Sequence, residues 1–163
     1  MRSGKGWIIV LALVVVGAVV LGLTQKQSAP SVQGTDLAGQ PFSLEAWRGR
    51  PVLVDFWATT CPGCVQEMPR LVAFWRQQHA QGFELVAVAM SYDDAAQVRR
   101  FAAERQLPFT VVVDRQGTIA HAFGDIHLTP TAFLIDAQGH IVQQIIGDPD
   151  FADLAKRVAA SRA

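Results

Sequence analysis

The run Pro51-Val-Leu-Val-Asp-Phe-Trp-Ala58 constrains the fold more than any other stretch of the chain. It is apolar at nearly every consecutive position and rich in β-branched and aromatic residues, so a strand built from it has no face to give to water. Such a strand must sit inside a sheet with helices on both faces. The following sequence supplies them. Pro62 to about Gln81 places Val65, Met68, Leu71, Val72 and Trp75 at helical spacing and ends before Gly82. Phe83–Ser91 reads as a second buried strand, Asp93 or Asp94 caps a helix to about Gln106, and Phe109–Asp114 forms a third strand after Pro108. A short helix is expected after Gly117. Ala132–Ile135 and Ile141–Gly147 flank the turn Asp136-Ala137-Gln138-Gly139 as an antiparallel hairpin, and Phe151, Leu154 and Val158 mark the buried face of a closing helix. The order βαβαβ, short helix, hairpin, helix predicts an α/β three-layer sandwich around a central mixed sheet, with a strand or hairpin over Thr35–Leu44 leading in.

Half of the chain's residues are hydrophobic, ample for one core. Fourteen basic residues balance fourteen acidic ones, so no long-range field draws the chain to nucleic acid. The N-terminus is different. Trp7 to Leu23 carries no charged side chain, and at 1.5 Å per residue it spans about 25 Å, just under the roughly 30 Å hydrocarbon core of a bilayer. Arg2 and Lys5 precede it and Lys26 follows, which keeps the N-terminus cytoplasmic and exports the rest. We therefore expect a membrane anchor over residues 1–25, a polar linker over 26–34 and a folded domain over 35–163. A cleaved signal peptide is the competing reading. A cut after Ala29 would place Gln27 at the third position before the cleavage site and Pro30 just after it, a poor fit.

The chain has two cysteines, Cys61 and Cys64, between the buried strand and the helix that follows. A loop this small gives little structural stabilisation when oxidised. The four histidines are scattered singly, without the spacing of a zinc site, and no metal is expected. Free N–H groups at a helix start favour an anion, so Cys61 is the expected nucleophile and Cys64, one turn on, the resolving thiol. Pro62 suits the first helical position. Asp55 interrupts the buried strand, where desolvation should raise its pKa and let it handle a proton. Glu67, one turn beyond Cys64, competes for that role unless it is simply a solvated helix residue. Trp57 either shields the disulfide or is an ordinary buried aromatic. His127 reads as a solvated loop residue.

The segment Val54-Asp-Phe-Trp-Ala-Thr-Thr-Cys-Pro-Gly-Cys64, together with Pro69 and Thr129-Pro130-Thr131, resembles the thioredoxin superfamily. The N-terminal apolar run and the extra strand and helix within Leu85–Gln106 resemble its TlpA/ResA-like branch of membrane-anchored periplasmic thiol-disulfide reductases. The resemblance implies a thioredoxin-like fold, a bacterial inner-membrane anchor with the domain in the periplasm, and a disulfide Cys61–Cys64 that needs no further cofactor. It also implies that Pro130 is cis and faces the cysteines, that Thr129 offers backbone hydrogen bonds to a substrate, and that Asp55 and Glu67 match carboxylates of the family. Thr129, Pro130, Trp57 and Pro62 are then the expected substrate contacts. Protein disulfides are the implied substrates and a DsbD- or CcdA-like membrane thiol transporter the implied electron donor. Thr60 stands where thioredoxins carry Trp, and Pro62-Gly63 reverses their Gly-Pro. A Cu(I)-handling dithiol or a thiol peroxidase are the alternative functions.

Overall fold

The computed structural model describes Leu13 and residues 27–162. A short hairpin, β1 (Gln33–Thr35) and β2 (Pro41–Ser43), leads to a 3-10 turn (Glu45–Trp47) and β3 (Val52–Trp57). Then come α1 (Pro62–His79), β4 (Glu84–Ala89), α2 (Ala95–Glu104), β5 (Thr110–Val113), α3 (Thr118–Ala122), β6 (Thr131–Ile135), β7 (Ile141–Ile146) and α4 (Phe151–Ala160). The main sheet has the order β5-β4-β3-β6-β7. Parallel pairing joins β3, β4 and β5, while β6 lies antiparallel to both β3 and β7. The buried run is thus the middle strand, and all its residues are buried.

Successive side chains of a strand point to opposite faces. Leu53, Asp55 and Trp57 share one face of β3, which packs with Cys64, Met68, Leu71 and Phe74 of α1, Val98 of α2, and Leu154 and Val158 of α4. Val52, Val54 and Phe56 point the other way, into a layer made by α3, the hairpin and the 3-10 turn. There Phe56 meets Phe123 and Phe133 edge-on at 5.4 and 6.1 Å between centroids. The helices start where the sequence provides acceptors: Asp94 takes the N–H groups of Ala96 and Gln97, and Asp150 those of Ala152 and Asp153. The β1–β2 hairpin covers the outer edge of β5, with the Leu37 N–H donating to the Val111 carbonyl.

The N-terminal expectations divide. The apolar run Trp7–Leu23 lies outside the described residues apart from Leu13, and among the described residues no helix is long and apolar enough to cross a membrane. The linker expected over 26–34 is corrected from Gln27 onward. Ser28 bridges His140, the Ala29 N–H donates to the Gly139 carbonyl, and the Ile141 N–H donates to Gln27. Val32 is buried and β1 begins at Gln33. The polar composition of this segment disguised a docking made mainly through backbone groups.

Candidate active site

The chain leaves β3 at Trp57 and turns through Thr59 and Thr60 into Cys61, the N-cap of α1. Extended angles at Cys61 and Pro62 in the first helical turn set the start of the helix. Cys61 and Cys64 form a disulfide. The Cys64 backbone N–H points at Cys61 Sγ, 3.2 Å away, so the outer sulfur itself caps the helix and sits at the positive end of its dipole. Cys61 is partly exposed, and Cys64 is only 2% exposed. One sulfur is presented to a partner and the other is held in the core.

Thr129–Pro130 is cis, and a Cβ built on Gly63 would lie 3.6 Å from Pro130 Cδ. The proline loop therefore abuts the cysteine turn. α1 continues through Pro69 to His79.

Both candidate carboxylates are in the core. Asp55 is 1% exposed and Glu67 2%, which removes the solvated reading of Glu67. Asp55 pairs with Ala87 and Ala132 across the sheet, small neighbours on the face that α1 covers. Asp55 Oδ1 and Glu67 Oε2 are buried without a hydrogen-bond partner among the described residues. Burial alone pushes the Asp55 carboxyl up to about 7. Glu67 is pushed up to about 8, first by burial and then by the negative charges of Asp55 and Asp148, against an opposing pull from Arg70. Two carboxyl groups that exchange protons near neutrality thus occupy the layer that holds Cys64.

Trp57 does not reach the surface. Its ring is fully buried and packs on Phe101 at 5.2 Å, so its assignment as a substrate contact is corrected: the alternation of β3 turns it into the core with Leu53 and Asp55. Pro62 is exposed, and Thr129 and Pro130 are partly so. Among the described residues no group of three or more His, Cys, Asp or Glu is placed to hold a metal ion.

Residues 24–158 match the redoxin family. The chain is a member of that family. It is 32% identical over 151 residues to the thiol-disulfide oxidoreductase ResA of Bacillus thuringiensis subsp. konkukian, with 86% of each chain covered. It is also 33% identical over 129 residues to the thioredoxin-like protein YneN of Bacillus subtilis, covering 77% of this chain and 72% of that one. The crystal structure of a thioredoxin-family thiol:disulfide interchange protein from Chlorobium tepidum superposes with a TM-score of 0.79 at 28% identity, over 86% of this chain and 99% of that one. With these relatives and a disulfide capping a helix beside a cis-proline, the redoxin is a thiol-disulfide oxidoreductase.

Two residues at this site were not singled out as functional from sequence. Asp93, read as one of two alternative helix caps, is buried and instead accepts from the Thr59 backbone N–H and hydroxyl, both at 2.6 Å. Its neighbour Tyr92 places its hydroxyl 3.4 Å from Thr129 Oγ1. The loop after β4 thereby ties the turn before Cys61 on one side to the proline loop on the other. The sequence signal was the doublet Asp93-Asp94, of which only one can cap α2.

Proposed function

We propose that this redoxin is a reductase of protein disulfides, held at the bacterial inner membrane by Trp7–Leu23 with its domain in the periplasm. The observation that carries the direction of reaction is the burial of the inner cysteine in the layer that also holds the two carboxyl groups. A strong oxidant needs its reduced form stabilised, usually as a thiolate. Burial of Cys64, reinforced by the ionised fraction of Asp55, works against a thiolate there, so the reduced form lacks that stabilisation and the dithiol is a donor of electrons.

In the dithiol state Cys61 is the nucleophile, its thiolate held by the Cys64 N–H and the α1 dipole. It attacks one sulfur of a substrate disulfide. An S–S bond to Cys61 forms, the substrate bond breaks, and the departing substrate sulfur takes up a proton. Ionised Asp55 then accepts the one proton of Cys64, whose thiolate attacks the mixed disulfide at Cys61 Sγ, while Glu67, pushed up to about 8, stays largely protonated at pH 7. The second substrate sulfur leaves with the electrons of the broken S–S bond and takes the proton back from Asp55 as a thiol, and the enzyme is left oxidised. Thr129 and Pro130 position the substrate backbone across this step, with Pro62 beside Cys61. Two electrons from a membrane thiol transporter of the DsbD or CcdA kind restore the dithiol.

Equilibration with glutathione, paired with an insulin-disulfide reduction assay, tests the direction. A potential well below about -200 mV with rapid insulin reduction is expected, whereas a value near the -120 mV of a strong periplasmic oxidant would reverse the assignment. Resistance of the full chain to extraction from membranes at alkaline pH tests the anchor.

A further inference from the structure

On the α3 side of the sheet, bordered by the loop after β4, lies a cleft of about 360 Å³. Met90, Ala120 and Ile126 give it an apolar floor, each of them buried. Tyr92, His121 and His127 stand on its rim, and His121 Nδ1 is paired with Asp125 Oδ1 at 2.6 Å. Asp125 is thus engaged chiefly by His121, with His127 adding a weaker attraction.

Tyr92 is 61% exposed, and Leu128, next to Thr129 in the proline loop, is 66% exposed. Adjacent large apolar groups held in water mark contact surfaces. The position of Tyr92 is fixed, since Asp93 is bonded to Thr59 and the Tyr92 hydroxyl reaches Thr129. The ring therefore reaches from the cleft to the loop that abuts Gly63, and this one side chain links the cleft to the cysteine turn through Thr129. A small disulfide occupies Cys61 alone, but a polypeptide must run on past its cysteine.

We propose that this cleft holds the polypeptide flank of a substrate disulfide and takes an apolar side chain, next to the reacting cysteine, against Tyr92 and the Met90–Ala120–Ile126 floor. The inference deepens the reductase reading and rests on it. Tyr92 becomes the residue that separates polypeptide disulfides by the side chain beside the sulfur.

The test uses two synthetic peptides that differ only in Leu or Ser next to one cysteine, each carried as its mixed disulfide with glutathione. The pre-reduced protein is mixed with each in single turnover. The Leu peptide should react about tenfold faster, the return expected from burying one such side chain only in part. Tyr92→Ala should bring the ratio close to one, and Tyr92→Phe should keep it. Equal rates for the wild-type protein, or a ratio that survives Tyr92→Ala, overturns the proposal. Failure of the wild-type protein to reduce either peptide would instead sink the reductase reading. A third measurement needs no Tyr92 variant: a peptide with a photoreactive leucine beside its cysteine is trapped on Cys61 of Cys64→Ser. Photo-adducts at Met90, Tyr92 or Ile126 support the cleft, and adducts on α1 rule it out.

Discussion

Neighbours on β3, Asp55 and Phe56 enter opposite layers of the sandwich and meet opposite surroundings. Phe56 joins an aromatic cluster with Phe123 and Phe133, where every group gains from leaving water. Asp55 enters a layer equally closed to water, beside Ala87 and Ala132, and finds no partner for Oδ1 among the described residues. One layer is therefore built for stability, whereas the other holds a carboxyl that costs stability once it ionises.

That contrast is open to direct attack. Phe56→Ala should destabilise the oxidised protein by close to 5 kcal/mol, the upper end for a buried phenylalanine, with little dependence on pH. Urea unfolding measures it. Asp55 should behave in the opposite manner. Its carboxyl titrates near 3.8 when unfolded and about 7 when folded, so the unfolded form ionises first. The native state is unpenalised below pH 4, loses stability as pH rises to about 7, and levels off above. The full penalty is on the order of 4 kcal/mol, from about 1.4 kcal/mol per pH unit of separation. Asp55→Asn should therefore shrink the pH dependence between pH 4 and 7 to the part that buried Glu67 contributes, and stand above the native protein in stability at pH 8. A wild-type profile that is already flat over that range would erase the distinction between the layers.

The catalytic side of the comparison is sharpened by the same variant. Resolution of a mixed disulfide by Cys64 should slow roughly 100-fold in Asp55→Asn at pH 7, the low end for loss of a positioned base. Alkylation of Cys61 in the reduced protein should change little. Rapid-mixing kinetics separates the two steps. Asp93→Ala should cost about 2 kcal/mol, because it leaves the Thr59 N–H and hydroxyl without their acceptor. The smallest effect is expected at the Asp94 cap of α2, about 1 kcal/mol for Asp94→Ala with unaltered redox kinetics.

Much of this was legible in the residues. Continuous apolarity marked β3 as central, and the cysteine spacing together with Pro62 located the start of α1. Those signals are local, and secondary structure reads them directly. The clamp of Asp93 on Thr59 was not legible, because its two partners are 34 residues apart and meet only through the sheet. The burial of Glu67 was equally hidden: helical spacing fixes a face, but only the packing of α1 decides whether that face is wet. Trp57 was placed among substrate contacts because it ends the strand nearest the cysteines, while the alternation that also turns Leu53 and Asp55 inward removes it from view. Segment 27–32 was hardest of all, since docking through backbone N–H and carbonyl groups leaves little trace in side-chain composition.

That segment also decides how the domain is gripped. Gln27 and Ala29 are stitched to Gly139 and Ile141, at the end of the sheet where β6 finishes, whereas Cys61 lies where β3 finishes, and the two strands run in opposite directions. Segment 27–29 is thus fastened at the heel of the sheet, with the length of β3, roughly 17 Å, between that point and the toe that carries the outer sulfur. The sulfur offered to a partner is therefore turned away from the end at which the chain enters the domain.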